Sequence, residues 1–166
     1  LPALIRKMLL GKYLKNNDWA AIRNDFEKLP VEGVNGSFGN DVILKVLAKY
    51  GITQIGNDVS VTLWGTGSPM REFLHVDDMA DACVFLLENY EGESHVNIGT
   101  GEEVTIRALA ELIGRVVGYE GEIVWNTDMP DGTPRKLTDV TLLHSLGWRH
   151  GIALEDGVRS TYEWYL

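Results

Sequence analysis

The residues of this chain best suited to chemistry gather in one stretch, Trp64-Gly65-Thr66-Gly67-Ser68-Pro69-Met70-Arg71-Glu72-Phe73-Leu74-His75-Val76-Asp77-Asp78. Two glycines and a proline within five residues demand an irregular loop, and such a loop lets a ligand come close to backbone amides. Trp64 on one side offers a flat apolar face and Arg71 on the other a planar cationic fork, a pairing that suits a nucleotide and its phosphates. A second cation, Lys136, closes another turn-rich run, Asn126 to Lys136, which also holds Asp131. Asp131 can accept hydrogen bonds from a guanine edge or a ribose hydroxyl. The competing readings are structural: Arg71 as the ion-pair partner of Asp77 or Asp78, and Trp64 as strand-end core. His75, between Leu74 and Val76 on an extended run, reads as hydrogen-bonded structure rather than an acid or base. Asp77-Asp78 reads as helix capping. No His, Cys or carboxylate spacing resembles a zinc or calcium site, so no metal is expected.

The elements that position these residues are legible from spacing. Val59 to Trp64 is a β-rich alternating run that ends in the glycine loop, Arg71 to Val76 a second extended run, and Asp77 the cap of a helix whose apolar face is Met79, Ala82, Cys83, Leu86 and Leu87. Before the loop, Leu4, Ile5, Met8 and Leu9 mark a helix running toward Gly11. Asn17 or Asp18 caps a second, through Trp19, Ile22, Phe26 and Leu29, and Asn40 or Asp41 a third that stops at Gly51. After the loop, Ser94 to Ile98 is expected to be a strand leading into Gly99-Thr100-Gly101. Thr105 caps an amphipathic helix stopped by Gly118, Gly121 to Trp125 is another strand, Thr138 or Asp139 caps a short helix, and a terminal helix follows. This alternation of helices and strands predicts an α/β class with a small sheet flanked by helices.

Composition narrows the partners. A chain of 166 residues, 45% hydrophobic, fits one packed domain. The net charge of −9 argues against nucleic acid or an anionic membrane as partner. The lone cysteine, Cys83, lies on a predicted apolar stripe and reads as core packing in a reducing compartment. With no membrane-length apolar run and no leader pattern at Leu1, the expected location is cytoplasmic.

The run Arg71-Glu72-Phe73-Leu74-His75-Val76-Asp77-Asp78, followed by a helix, resembles the extended short-chain dehydrogenase family of nucleotide-sugar enzymes. The fuller string from Trp64 to Met79, then Asn97-Ile98-Gly99-Thr100-Gly101 and Pro130-Asp131-Gly132-Thr133-Pro134-Arg135-Lys136, are similar in order to the members acting on GDP-sugars. The likeness covers Val59 to the C-terminus and Leu1 to about Lys7. It implies an NADPH-dependent enzyme, homodimeric at full length, that epimerises GDP-4-keto-6-deoxy-mannose at C3 and C5 and reduces the C4 ketone to give GDP-L-fucose. It also implies that Lys7, Trp64, Arg71, Asp131 and Lys136 contact the GDP-sugar, with Lys7 standing where arginine is common.

The Gly-rich dinucleotide turn and the Tyr-x-x-x-Lys pair of that family do not occur here. The chain is therefore expected to be the C-terminal substrate-binding portion, residues 1–166, inactive alone. NADP and the catalytic Ser, Tyr, Lys and His would belong to an N-terminal Rossmann domain absent from it. Residues 12–58 are expected to be a helical insertion, a surface elaboration rather than a lid. The alternatives are another nucleotide-sugar epimerase, dehydratase or reductase of the family, or a non-catalytic nucleotide-binding or interaction module. A Gly-rich turn and Tyr-x-x-x-Lys upstream of Leu1 would decide for the enzyme.

Overall fold

A computed structural model describes residues 1–166. Helix α1, Pro2–Lys15, carries its proline at the start, where no amide hydrogen is needed. It runs straight through Gly11, which is a contact residue and not a stop. A Cβ at Gly11 would come within 2.9 Å of both the Tyr119 ring and Val61. The glycine thus lets α1 lie close against the sheet. Asp18 caps α2, Trp19–Lys28, by accepting from the Ala21 amide. Helix α3, Asn40–Lys49, starts behind Gly39 with no side-chain cap from Asn40 or Asp41. It ends before Gly51, whose φ of +79° continues the turn into β1, Ile52–Ile55. There follow β2 (Asp58–Trp64), β3 (Met70–Arg71), α4 (Val76–Asn89), β4 (Val104–Thr105), α5 (Ile106–Val117), β5 (Glu122–Asn126), β6 (Arg135–Lys136), α6 (Thr141–Ser145) and α7 (Leu154–Tyr165).

Two small mixed sheets result. In the first, ordered β1-β2-β5, β1 is antiparallel to β2 while β5 runs parallel from Ser60↔Glu122 to Trp64↔Asn126. In the second, ordered β4-β3-β6, Arg71 pairs with Val104 on one side and with Lys136 on the other. The glycine loop between β2 and β3 therefore joins the two sheets. Thr105 caps α5 by accepting from the Ala108 amide, and Gly118 closes it in the left-handed conformation.

The main core contains 20 buried residues. The stretch expected to be a surface elaboration, residues 12–58, supplies Leu14, Ile22, Phe26, Ile43, Val46, Leu47 and Ile52 to it. It also holds β1, so it is neither purely helical nor peripheral. Burial on this scale makes the α2–α3 hairpin part of the domain's cohesion.

Several local expectations give way to tertiary structure. Ser94–Ile98 forms no strand, because a strand needs a ladder partner and none in this chain pairs with it. Val96 and Ile98 pack instead on a small second core of Ala82, Leu143 and Trp148. Of the extended run from Arg71 to Val76, only Arg71 joins a ladder. Helix α4 is capped by His75 and not by Asp77. Its expected apolar face is only half used: Ala82 is buried, whereas Met79, Cys83 and Leu87 are exposed, Leu87 at 85%. Cys83 is thus not core packing. Helix α6 follows Val140, and Asp139 accepts from the Thr141 amide just inside it. No helix is long and apolar enough to cross a membrane.

Candidate functional site

The glycine loop is pinned from below and from the side. Gly65 and Gly67 have φ of +76° and +75°, a region L-residues avoid. Both are also crowded. A Cβ on Gly67 would fall 2.6 Å from the Trp125 ring of β5, and one on Gly65 only 2.1 Å from Asp131 Oδ1. Between them, Thr66 donates its amide to Asp131 Oδ1 and its hydroxyl to Oδ2, both at 2.8 Å. Both oxygens of the expected base reader are thereby engaged in clamping the loop to the 126–134 segment. Arg107, at the start of α5, donates to the Thr66 carbonyl at 2.5 Å and lies 4.5 Å above the Trp125 ring.

Beside this loop, β3 and β6 place Arg71 and Lys136 directly opposite each other in a parallel ladder. Adjacent strands lie about 5 Å apart and paired residues share a face, so the two side chains leave the same face of this small sheet. The ion pairs of the chain are Arg6–Asp25, Lys49–Glu32, Arg135–Glu103 and Arg159–Glu155, and neither Arg71 nor Lys136 takes part. Asp78, the competing partner for Arg71, accepts instead from the Gly151 and Ile152 amides at 3.0 Å each. Asp77 sits 3.6 Å from His75. Arg71 donates to the Met70 carbonyl at 2.6 Å, and its Nη2 lies against Gly132, where a Cβ would be 3.1 Å away. Neither cation has a carboxylate within ion-pair distance, which leaves both free to meet an anionic group such as a diphosphate.

Trp64, at the end of β2, is 67% exposed and so is not strand-end core. Trp64, Arg71, Asp131 and Lys136 thus frame one loop system. Lys7 stands apart from them. It reaches β2 from α1 and donates to the Thr62 carbonyl at 2.5 Å, two residues before Trp64. Burial lowers its pKa from the ordinary lysine value.

Two residues of the central stretch act as braces. Burial of Glu72 acts to raise its pKa, but hydrogen bonds from the Gly101 amide, Thr138 and Thr100 outweigh it and hold the carboxyl below its ordinary value. His75 accepts from the Asp77 amide on Nδ1, which in the neutral ring leaves the proton on Nε2, 3.1 Å from Ser160 Oγ. A cleft of about 690 Å³ is lined by His75 together with Leu1, Val76, Ile152, Val158 and Trp164.

A dinucleotide needs free amides at a helix N-terminus after a Gly-rich turn. At α5, the helix nearest the glycine loop, the Ile106, Arg107 and Ala108 amides already donate to Pro69, Gly67 and Thr105. The amides at the start of α5 are thus already used within the chain. Thr66, Arg107 and Trp125 were not singled out from sequence. A threonine between two glycines and an arginine in a first helical turn are weak signals until the fold brings them together.

Residues 31–99 match the model of the NAD dependent epimerase/dehydratase family. Over that stretch the chain is similar to the extended short-chain dehydrogenases. The chain is 48% identical over 159 residues to a protein named putative GDP-L-fucose synthase 2 of Arabidopsis thaliana, covering 93% of this chain and 47% of that one. It is 51% identical over 134 residues to the GDP-L-fucose synthase of Escherichia coli (strain K12), covering 75% and 42% respectively. A GDP-6-OMe-4-keto-L-xylo-heptose reductase from C. jejuni superposes with a TM-score of 0.82 at 36% identity, over 98% of this chain and 46% of that one. The chain thus spans less than half the length of the proteins it matches.

Proposed function

We propose that this chain is the substrate-binding half of an NADPH-dependent GDP-sugar epimerase/reductase that converts GDP-4-keto-6-deoxy-mannose to GDP-L-fucose. The observation that carries this reading is the Arg71–Lys136 register pair, two cations on one sheet face with no ion-pair partner, at the far end of the glycine loop that begins at the exposed Trp64. Arg71 and Lys136 hold the diphosphate, Trp64 offers a stacking face, Asp131 keeps the loop closed beneath it, and Lys7 reaches in from α1. The binding energy of the nucleotide fixes the sugar for proton and hydride transfer by groups outside this sequence. NADP and the Ser, Tyr, Lys and His of the family belong to that other half. The exposed Val76, Met79, Cys83 and Leu87 of α4, beside the large apolar cleft, support a second body packing there.

A second reading, a reductase of a GDP-linked 4-keto-heptose, is favoured by the superposition of the C. jejuni heptose reductase over 98% of the chain, a span that must include the hairpin. Calorimetric titration of the full-length protein with GDP, UDP and ADP tests the shared claim: GDP binds tightest, and equal binding by all three rejects it. Turnover with GDP-4-keto-6-deoxy-mannose against a GDP-4-keto-heptose then separates the two.

A further inference from the structure

Arg107 holds the glycine loop from a side that neither Asp131 nor the two cations reach. Its Nη2 donates to the Thr66 carbonyl at 2.5 Å, its own amide donates to the Gly67 carbonyl at 2.9 Å, and its guanidinium lies 4.5 Å over Trp125. The same indole fills the space beneath Gly67. Thr66 is in turn the residue whose amide and hydroxyl engage Asp131. Indole, guanidinium and carboxylate therefore fix a single turn from three directions. The arm that carries the guanidinium is itself anchored, since Leu109, Leu112 and Ile113 of α5 are buried in the main core.

We propose that Arg107 is a positioning residue for nucleotide binding, which sets the 65–68 turn and, through Thr66, the place of Asp131 while making no contact with the ligand. The proposal rests on the reading that this loop system binds a GDP-sugar. Arginine fits the task because its plane stacks on the indole while its edge still donates to a carbonyl. A lysine keeps the charge but cannot do both at once, so Arg107→Lys should restore only part of what Arg107→Ala removes.

The test uses the full-length protein as wild type, Arg107→Ala, Arg107→Lys, Asp131→Ala and the Arg107→Ala/Asp131→Ala double variant. GDP affinity is read by calorimetry at low and high salt, and exchange of the Thr66 amide by ligand-free hydrogen exchange. Expected are an affinity loss of about tenfold for Arg107→Ala, partial rescue by lysine, and faster Thr66 exchange. The salt dependence should match wild type, because a residue that touches no phosphate removes no screened contact. The double variant should lose little more than the weaker single one, because both act on the same turn. A flattened salt dependence, additive losses, or unchanged Thr66 exchange would each overturn the proposal. If wild type fails to bind GDP, the nucleotide reading falls, and Thr66 exchange still shows separately whether Arg107 holds the turn.

Discussion

The hairpin half and the loop half of this domain are built on opposite plans. In the hairpin, cohesion is apolar and the charges meet opposite charges: Asp25, 7% exposed, takes Arg6 at 2.8 Å and the Tyr165 hydroxyl at 2.6 Å, and Lys49 pairs with Glu32 at 2.5 Å. Burial and the Asp25 carboxylate also hold the Tyr165 phenol above its ordinary pKa. In the loop half, few residues between Trp64 and Gly67 or between Asn126 and Lys136 enter the core. Cohesion there comes from carboxylates such as Asp131 and Glu72 gripping backbone amides. Arg71 and Lys136 are left without an acidic partner. The difference teaches where to look for a ligand: a charge already answered by its neighbours describes a fold, and one held in place but unanswered describes a site.

The largest expected effect probes the apolar side of this contrast. Phe26, 1% exposed in α2, should cost about 3–5 kcal/mol when replaced by alanine, while GDP affinity of the folded fraction stays within about twofold. A urea melt beside calorimetry checks both, and a near-wild-type midpoint would break the contrast.

Next comes the charged side. Arg71→Ala removes a charge-assisted contact and should weaken GDP binding by about 1.5–3 kcal/mol, roughly 10- to 150-fold, with the unfolding midpoint barely moved. Lysine should restore part of it, since it keeps the charge but not the fork. A clear loss of stability with unchanged affinity would make Arg71 a structural residue after all.

Acid sharpens the comparison further. The pKa of Glu72 is lowered in the folded protein, so its contribution to stability is complete above the ordinary glutamate value, about 4.3, and is lost as pH falls toward the folded value. The segments it ties, around Gly101 and Thr138, should therefore lose hydrogen-exchange protection on acidification before α1 and α5 do. Glu72→Gln should flatten that pH dependence. Equal acid sensitivity in both regions counts against the contrast. The smallest effect is at Cys83, where serine should change stability by no more than about 0.5 kcal/mol in a thermal melt, because the side chain faces solvent.

What could be read from the sequence follows the range of the interactions. Asp18, Thr105, Gly51 and Gly118 act within a few residues of themselves, and their roles as helix boundaries follow from local chemistry. The core-facing side of α5 is equally legible, because its period is complete within one helix. Asp131 stands out in sequence as a candidate, but its grip on Thr66 joins positions far apart in the chain. The same holds for Arg107 over Trp125 and for Asp78 reaching Gly151. Local pattern failed where tertiary partners decide. Ser94–Ile98 has strand composition but no ladder, and the apolar face of α4 is covered only in part.

The absent side chain at Gly11 reaches further than packing. Lys7 lies one turn earlier on the same face of α1, and the gap between helix and sheet at Gly11 sets how far the lysine must stretch to Thr62. Alanine there would meet Tyr119 and Val61 and lift α1 by a fraction of an ångström, drawing the ammonium away from β2. The helix-to-sheet separation is thus a gauge length, and a residue with no side chain can tune where the Lys7 ammonium ends.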